Sequence, residues 1–294
     1  MNKTGLKLAA AVFAVTFSAW VLTGCGNNNS SNSNDKNGTN GSITLAGSTA
    51  LQPLAEYSAE KFIEKYPSAI INVQGGGSGT GINMVSSGAI DIGNSDVPAE
   101  IKIDKAKAAE LVDHKVCAIG FALVVNKEVN ISTLTKQQVQ DIFTGKITNW
   151  KDAGGPDLKI EVIHRAKSSG TRAAFRNAVL DGKDENDSIG TIQDSNGNVE
   201  KALASTKGSV SYLALSYLSD KVKESVKPLK LDGIDANKDN IISGKYYFWS
   251  YEHMYTKGEA EGLEKLFIEY MISDENKSLI EKLGYIPVSE IKVK

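Results

Sequence analysis

Apolar positions along the chain alternate between short β-branched runs and helical spacings. Residues 43–46 (ITLA) predict a strand. Residues 51–66 then predict a helix, because their apolar residues are spaced for one buried face: Leu51, Leu54, Ala55, Ala59, Phe62, Ile63 and Tyr66. Pro53 suits the first turn of this helix and Pro67 ends it.

The same alternation continues to the C-terminus. Further strands are predicted at 70–74, 90–93, 116–125, 160–163 and 209–212. Helices are predicted through 82–85, from the capping box 135–138 to about 145, through 175–179, and over 262–273. Strands alternating with helices indicate an α/β protein with mostly parallel sheets. In such sheets, ligands bind at the carboxyl ends of strands.

Three segments carry small hydroxyl residues where a predicted strand leads into a helix: 47–50 (GSTA), 77–80 (GSGT) and 168–171 (SSGT). The amino end of a helix has N–H groups without partners and a partial positive charge. Glycine permits close approach of the backbone, and Ser and Thr add hydroxyl donors. Helix capping would explain one such loop. Three loops at equivalent positions indicate a site for a dehydrated oxyanion.

Arg165 and Asp96 refine this hypothesis. Arg165 ends an apolar strand, and a guanidinium can bind two oxygens of a tetrahedral anion at once. Asp96 follows another strand at the same edge, where a carboxylate would repel an anion unless the anion carries a proton. Phosphate does at neutral pH and sulfate does not, so Asp96 favours phosphate. An aspartate that caps a turn or helix is the alternative.

Four segments resemble one family in order and spacing: GSTAL (47–51), GGGSGTG (75–81), DIGNSD (91–96) and HRAKSSGTR (164–172). The family is PstS, the substrate-binding proteins of phosphate ABC importers. The stretch IFTGKITNWKDAGG (142–155) is also common in that family and in its relatives for other ligands. The resemblance runs from the first predicted strand to the C-terminus.

The resemblance implies a two-lobed periplasmic-binding-protein fold that closes over phosphate without metal, water or cofactor. Asp96 would accept the phosphate proton and Arg165 would pair with phosphate oxygens. Carried over by motif, the implied contacts are Thr49, Ala50, Ser78, Asp96, Arg165, Ser169, Gly170 and Thr171, with Ser48 a lesser candidate. No catalytic residue is implied.

The chain departs from the family pattern at Lys167 and Ser168. The first position is often acidic in the family and the second is often Gly. An acidic residue would help to orient the arginine. Lys167 would leave Arg165 freer, or raise the local positive potential and loosen discrimination between anions.

The resemblance also implies the lobe boundaries. Lobe 1 would comprise 43–120 and 250–294, and lobe 2 would comprise 121–249, each with a mixed, mostly parallel sheet. The chain would cross between the lobes twice, near Gly120 and Trp249.

The N-terminus reads as a lipoprotein signal peptide over 1–24. Lys3 and Lys7 are followed by fifteen mostly apolar residues and the tetrapeptide LTGC, which ends in Cys25. Fifteen residues are too few to span roughly 30 Å of hydrocarbon. We therefore expect cleavage before Cys25 and acylation of this cysteine, with diacylglycerol and palmitate as the anchor.

Residues 25–42 are rich in Asn, Ser and Gly and predict a disordered tether that holds the folded body above the membrane. Loss of Lys3 and Lys7 with the leader changes the net charge from −2 to −4, because 1–24 contains no acidic residue. This acidity argues against nucleic acid as a partner. Cys117 is then the one remaining cysteine and reads as a small core residue.

The main alternative class is an enzyme. A G-x-S-x-G elbow is missing, since Thr80 takes the last position around Ser78 and Lys167 the first around Ser169. A P-loop is excluded by Ile82, where lysine would be needed. A calcium loop starting at Asp235 lacks its glycine and final glutamate.

We therefore expect a monomeric, lipid-anchored protein on the extracytoplasmic face of the cell membrane. It would capture inorganic phosphate, deliver it to the transmembrane subunits of an ABC permease, and catalyse no reaction. Another tetrahedral oxyanion (sulfate, molybdate or tungstate) is the alternative within this fold. A phosphate sensor or adhesin without transport is a second class.

Overall fold

Strands and helices alternate through most of the chain in the computed structural model, which describes residues 38–292. The strands are β1 (Gly41–Gly47), β2 (Ala69–Gly76), β3 (Ile92–Ser95), β4 (Leu111–Asn126), β5 (Thr133–Leu134), β6 (Glu161–Arg165), β7 (Thr191–Gln193), β8 (Ser209–Ala214), β9 (Val226–Leu231) and β10 (Trp249–Lys257). The helices are α1 (Gln52–Lys65), α2 (Ser78–Ser86), α3 (Lys105–Ala108), α4 (Lys136–Phe143), α5 (Gly170–Ala178), α6 (Asn196–Ser205), α7 (Asp220–Lys223), α8 (Lys238–Ile242), α9 (Gly262–Met271) and α10 (Asp274–Lys282). The predicted signal peptide, Cys25 and most of the predicted tether lie outside the described residues.

The strands form a mixed, curled sheet in the order β2-β1-β3-β10-β4-β8-β6-β7. At one end β1 pairs in parallel with β2 and β3, and at the other β6 pairs in parallel with β7 and β8. The pairs that β4 and β10 make along this path are antiparallel. The predicted two-lobed, mixed α/β architecture is confirmed.

β4 joins the two ends of the sheet. Its first part, Leu111–Gly120, pairs with β10, and its second part pairs with β8 and β9 from Phe121 onward. Every residue from Val116 to Asn126 is buried, so both faces of this part of the strand are covered. The predicted strand at 116–125 is confirmed. β4 begins at Leu111, five residues before the predicted start, because its pairing with β10 continues beyond the apolar run.

The aromatic segment 246–249 (YYFW) contributes Tyr246 and Phe248 to the core. Phe248 packs between Phe121, at a ring-centroid distance of 5.2 Å, and Phe175, at 5.4 Å. The hydroxyl of Tyr246 donates to the carbonyl of Phe121 at 2.7 Å. The cluster 246–249 is therefore core in large part, and Cys117 is a free, fully buried residue of the same core.

Several helix boundaries differ from the sequence-based predictions. α2 already begins at Ser78, so half of the GGGSGTG segment is helical rather than loop. α9 ends at Met271 and α10 follows after a two-residue break. The predicted capping box is present at the start of α4: the Thr135 hydroxyl oxygen accepts from the N–H of Gln138, and Gln138 Oε1 accepts from the N–H of Thr135. Within residues 38–292, no helix combines the length and apolar character needed to cross a membrane.

Replacing Ile92 by alanine tests whether burial of β3 stabilises the end of the sheet that leads to Asp96. Ile92 is fully buried, whereas Ile70 on β2 is 57% exposed. We expect Ile92→Ala to lower the free energy of unfolding by about 2–5 kcal/mol. The matched variant Ile70→Ala should lower it by less than about 1 kcal/mol. Urea unfolding measures both, and equal losses would contradict the burial argument.

Candidate functional site

The nine predicted contact residues meet at the carboxyl ends of four strands. They directly follow β1, β2 and β3, or lie at the end of β6 and in the loop and helix after it. All nine are buried: Ser48, Thr49, Ala50, Ser78, Asp96, Arg165, Ser169, Gly170 and Thr171. Hydrogen bonds and close approaches link Ser78, Asp96, Gly170 and Thr171 into one cluster. Arg165 bonds separately to Thr49, while the hydroxyl oxygens of Ser48 and Ser169 accept from nearby main-chain N–H groups.

The turn after β1 depends on glycine. Gly47 has φ of +136°, and a Cβ there would lie 2.1 Å from the carbonyl oxygen of Asn94. This close approach brings the end of β1 against the end of β3, where the N–H of Ser48 donates to the same carbonyl at 2.9 Å. The Ser48 hydroxyl oxygen accepts from the main-chain N–H groups of Ala50 and Leu51, each at 3.0 Å. Ser48 therefore shapes the entry into α1.

Asp96 is held by hydroxyl groups at the starts of two helices, α2 and α5. Thr171 Oγ1 donates to one carboxylate oxygen at 2.7 Å, and Ser78 Oγ lies 3.4 Å from the other. The N–H of Asp96 donates to Ser78 Oγ at 3.0 Å. Ser250 on β10 donates to the Asp96 carbonyl. The carboxylate, only 1% exposed, is thus fixed in a dry site.

Arg165 is the largest charged side chain buried in the described part of the chain, with 1% exposure. Its Nη2 donates to Thr49 Oγ1 at 3.3 Å and to the carbonyl of Asp194 at 3.2 Å. Nε and Nη1 have no hydrogen-bond partner among residues 38–292. Burial lowers the pKa of this guanidinium, with Tyr212 and Asp96 acting in the opposite direction. Unpaired buried donors cost about 1–3 kcal/mol each, so this site fits an anion.

Thr49 receives hydrogen bonds from several donors. Its Oγ1 lies 3.2 Å from the main-chain N and 3.0 Å from the side-chain Nδ2 of Asn196, besides Arg165. Because the oxygen only accepts in these contacts, its hydroxyl hydrogen is left to donate. Asn196 itself is fully buried, and its carbonyl oxygen Oδ1 accepts from the N–H of Ala214.

The start of α5 forms one wall of the site. Ser169 caps the helix through its hydroxyl oxygen, which accepts from the N–H of Arg172 at 3.1 Å. Gly170 is packed so closely that a Cβ there would lie 2.1 Å from Ser78 Oγ. Gly170 and Thr171 are the first two residues of the helix, where N–H groups lack helical partners.

His164, the residue before Arg165, takes no part in this cluster. Its Nε2 lies 2.9 Å from the carbonyl of Ile189, and its Nδ1 bonds to Glu185. The hydroxyl of Tyr212 donates to the other oxygen of Glu185 at 2.7 Å. His164 is therefore a buried structural residue.

The site is covered by contacts between the β3 and β6 ends of the sheet. Lys102 Nζ lies 3.0 Å from the carbonyl oxygen of Lys167 and 2.8 Å from that of Ser169. The N–H of Gly79 donates to the carbonyl of Ser168 at 2.8 Å. We call the loop 166–169, which follows Arg165, the arginine loop. Lys102 and Gly79 thus bind three of its consecutive carbonyls. The side chain of Lys167 is exposed, and Arg165 is oriented by Thr49 and Asp194 instead.

Sequence reasoning missed several residues of this site, namely Lys102, Asn196, Tyr217 and Glu252. Tyr217 donates from its hydroxyl to the carbonyl of Thr49 at 3.0 Å. Glu252 is a fully buried carboxyl on β10. A signal existed for Asn196, because Ser195 follows a strand and caps α6, as Ser169 caps α5. The other three lie in stretches with no distinctive motif.

This fold and this site define a class of protein, the solute-binding proteins with a periplasmic-binding-protein fold. The family model described as a PBP superfamily domain matches residues 32–275. The two-lobed mixed sheet agrees with that match.

The chain belongs, more narrowly, to the PstS family. It is 44% identical to the phosphate-binding protein PstS of Bacillus subtilis, over 99% of this chain and 96% of the relative. Among solved structures it resembles a putative phosphate ABC transporter substrate-binding protein from Clostridium perfringens with bound phosphate (TM-score 0.77, 30% identity, 84% of this chain and 100% of that one). An ABC-type phosphate transport receptor from Vibrio cholerae is also similar (TM-score 0.66, 29% identity, 84% and 100%).

Lys102 generates a pH-dependent prediction. Burial lowers its pKa to about 8, a shift that Asp96 partly opposes. An unfolded lysine keeps its proton up to its ordinary pKa of 10.5. Between these values the unfolded chain binds more protons, so the contribution of Lys102 to stability rises with pH. We expect the parent to gain free energy of unfolding relative to Lys102→Met between pH 8 and 10.5, as measured by urea unfolding.

The matched control is Lys105→Met, because Lys105 is exposed on α3. Its difference from the parent should stay constant over the same range. A constant difference for Lys102→Met as well would show that Lys102 is solvated in solution and does not bind the arginine loop.

Proposed function

We propose that this protein is the extracytoplasmic binding protein that captures inorganic phosphate between its two lobes and delivers it to an ABC importer. One observation carries the proposal. A buried carboxylate, Asp96, lies close enough to the buried Arg165 to oppose the lowering of its pKa, and Nε and Nη1 of Arg165 have no partner among the described residues. The donors suit a tetrahedral oxyanion, and the carboxylate suits one that carries a proton.

Each predicted contact residue has a chemical part in this proposal. Arg165 pairs with phosphate oxygens through Nε and Nη1, and Thr49 donates its free hydroxyl hydrogen. Asp96 accepts the phosphate proton. The remaining donors would be N–H groups and hydroxyls at the starts of α1, α2 and α5, contributed by Ser48, Ala50, Ser78, Ser169, Gly170 and Thr171. Thr171 would use its N–H, because its hydroxyl donates to Asp96, and the N–H of Ala50 would have to leave Ser48 Oγ to reach the anion.

The lobe boundaries are part of the proposal. Lobe 1 would comprise 43–120 and 250–294, and lobe 2 would comprise 121–249. The change of partner along β4, from β10 to β8 between Gly120 and Phe121, supports the first crossing. The start of β10 at Trp249 supports the second.

The cellular arrangement follows from the sequence. Residues 1–24 would be a signal peptide, and Cys25 would carry the lipid that anchors the protein to the extracytoplasmic face of the cell membrane. The partners would be phosphate and the transmembrane subunits of the permease, and the protein would act as a monomer. It would catalyse no reaction, because lobe closure around the anion is the work required.

Calorimetric titration with phosphate and with sulfate, repeated for Asp96→Asn, tests the function. We expect tight phosphate binding and negligible sulfate binding by the parent. An amide donates where the carboxylate accepts, so Asp96→Asn should lower the ratio of phosphate to sulfate affinity at least about tenfold. Asp220→Asn, at a fully exposed side chain, should leave the ratio unchanged. Equal sulfate and phosphate binding by the parent, or no binding of either, would refute the assignment.

Replacing Gly170 by alanine tests whether the anion binds where α5 packs against Ser78 and Asp96. The added methyl group of Gly170→Ala would lie 2.1 Å from Ser78 Oγ and 2.9 Å from Asp96 Cβ, so these contact groups must shift. We expect phosphate affinity to fall at least about fivefold while the protein remains folded. Gly197→Ala, in the first turn of α6, meets no atom closer than 3.9 Å and should bind within about twofold of the parent. Unchanged binding by both variants would place the anion elsewhere.

A further inference from the structure

A second buried carboxyl group, that of Glu252, lies next to Asp96 in the proposed phosphate site. Glu252 on β10 is fully buried, and neither of its carboxyl oxygens has a hydrogen-bond partner among residues 38–292. Ser250, two residues earlier on the same regular stretch of strand, points to the same face. Ser250 donates to the Asp96 carbonyl, so this face of β10 forms the floor beneath Asp96.

Among residues 38–292, no cation acts on the Glu252 carboxyl to stabilise its charge. Burial is the main cause that raises its pKa well above the ordinary value, and the negative charge of Asp96 is the next. The Ser48 hydroxyl lies close enough to act in the opposite direction. The other titratable neighbours are Cys117 on β4 and Tyr285 after α10, both buried neutral groups whose pKa values the charge of Glu252 would raise.

The hydrogen bonds around the two carboxyls are unequal. The Asp96 carboxylate accepts a hydrogen bond from Thr171 Oγ1 at 2.7 Å and lies 3.4 Å from Ser78 Oγ. The carboxyl oxygens of Glu252 have no hydrogen-bond partner of good geometry among residues 38–292. Two adjacent buried carboxyls do not both ionise. Since carboxylate oxygens only accept, the two groups can bond to each other only when one carries a proton. The hydroxyl donors Thr171 and Ser78 stabilise a negative charge on Asp96, so the proton belongs on Glu252.

We propose that Glu252 is a neutral carboxylic acid that donates toward Asp96 and acts as a positioning residue for phosphate recognition. Glu252 carries the one proton that the two carboxyl groups share. Asp96 therefore stays ionised and can accept a hydrogen bond from a protonated anion. If the proton lay on Asp96 instead, this residue would become a donor and the site would accept an unprotonated anion such as sulfate. The recognition role rests on the proposed phosphate function.

Infrared spectroscopy of the parent at pH 8 tests the protonation state without any ligand. We expect the carbonyl stretching band of a protonated carboxyl group, absent from Glu252→Gln. In Asp96→Asn the like charge is gone, so the band should titrate away at a lower pH than in the parent. Absence of the band from the parent, or its persistence in Glu252→Gln, would overturn the proposal.

Titration with inorganic phosphate and sulfate tests the positioning role. Glu252→Gln keeps the shape and a donor, and should keep the ratio of phosphate to sulfate affinity within about threefold. Glu252→Leu has similar volume but no donor, and should lower the ratio about tenfold or more. A ratio for Glu252→Leu equal to that of the parent would overturn the role, and if the variants fail to fold, the parent spectrum decides.

The outcomes separate this inference from the function on which it rests. A parent that shows the band but binds no phosphate would refute the phosphate assignment, and the recognition role with it. A parent that binds phosphate tightly but shows no band would refute the neutral Glu252 alone.

Discussion

A buried guanidinium and a buried carboxylate occupy one dry site, and much of the structure serves to hold them there. Arg165 and Asp96 are each 1% exposed, yet no ion pair joins them in the described part of the chain. Removing such charges from water costs several kcal/mol per ion unless other groups compensate. The hydroxyls of Thr171 and Ser78 offset part of this cost for Asp96. Thr49 and the carbonyl of Asp194 do so for Arg165. Nε and Nη1 of Arg165 have no partner among residues 38–292, and the proposed anion would supply the compensation that is missing there.

The same constraint explains why the site needs both ends of the sheet. In the proposed function, donors for one anion would come from the ends of β1, β2 and β3 on one side and from β6 and α5 on the other. Lys102 and Gly79 bind three consecutive carbonyls of the arginine loop, and Asn196 binds Thr49 across the site. These contacts help to bury the polar groups of the site, and a low local dielectric strengthens charged hydrogen bonds. In the proposed function, closure and selectivity would therefore depend on the same contacts.

The sequence predicted the parts of the site that are local. Gly47, Ser78 and Gly170 stand in strand-to-helix turns whose chemistry is visible in a few adjacent residues. Lys102 and Glu252 escaped prediction because their partners are distant in the chain: Lys102 reaches a loop 65 residues later, and Glu252 meets Asp96 from a strand near the C-terminus. Glu252 is the fourth residue of an unremarkable strand, and only sheet pairing shows that it faces inward.

The sequence by itself determined the alternation of strands and helices, the glycine-dependent turns, and the presence of an arginine and an aspartate at strand ends. These depend on backbone sterics, periodicity and capping, which act over a few residues. The tertiary structure decided the strand order, the early start of α2, and which hydroxyls cap helices rather than face the site. It also decided the lowered pKa of Lys102 and the raised pKa of Glu252. The reason is physical: burial and neighbouring charge belong to the packed environment of a side chain and not to its residue type.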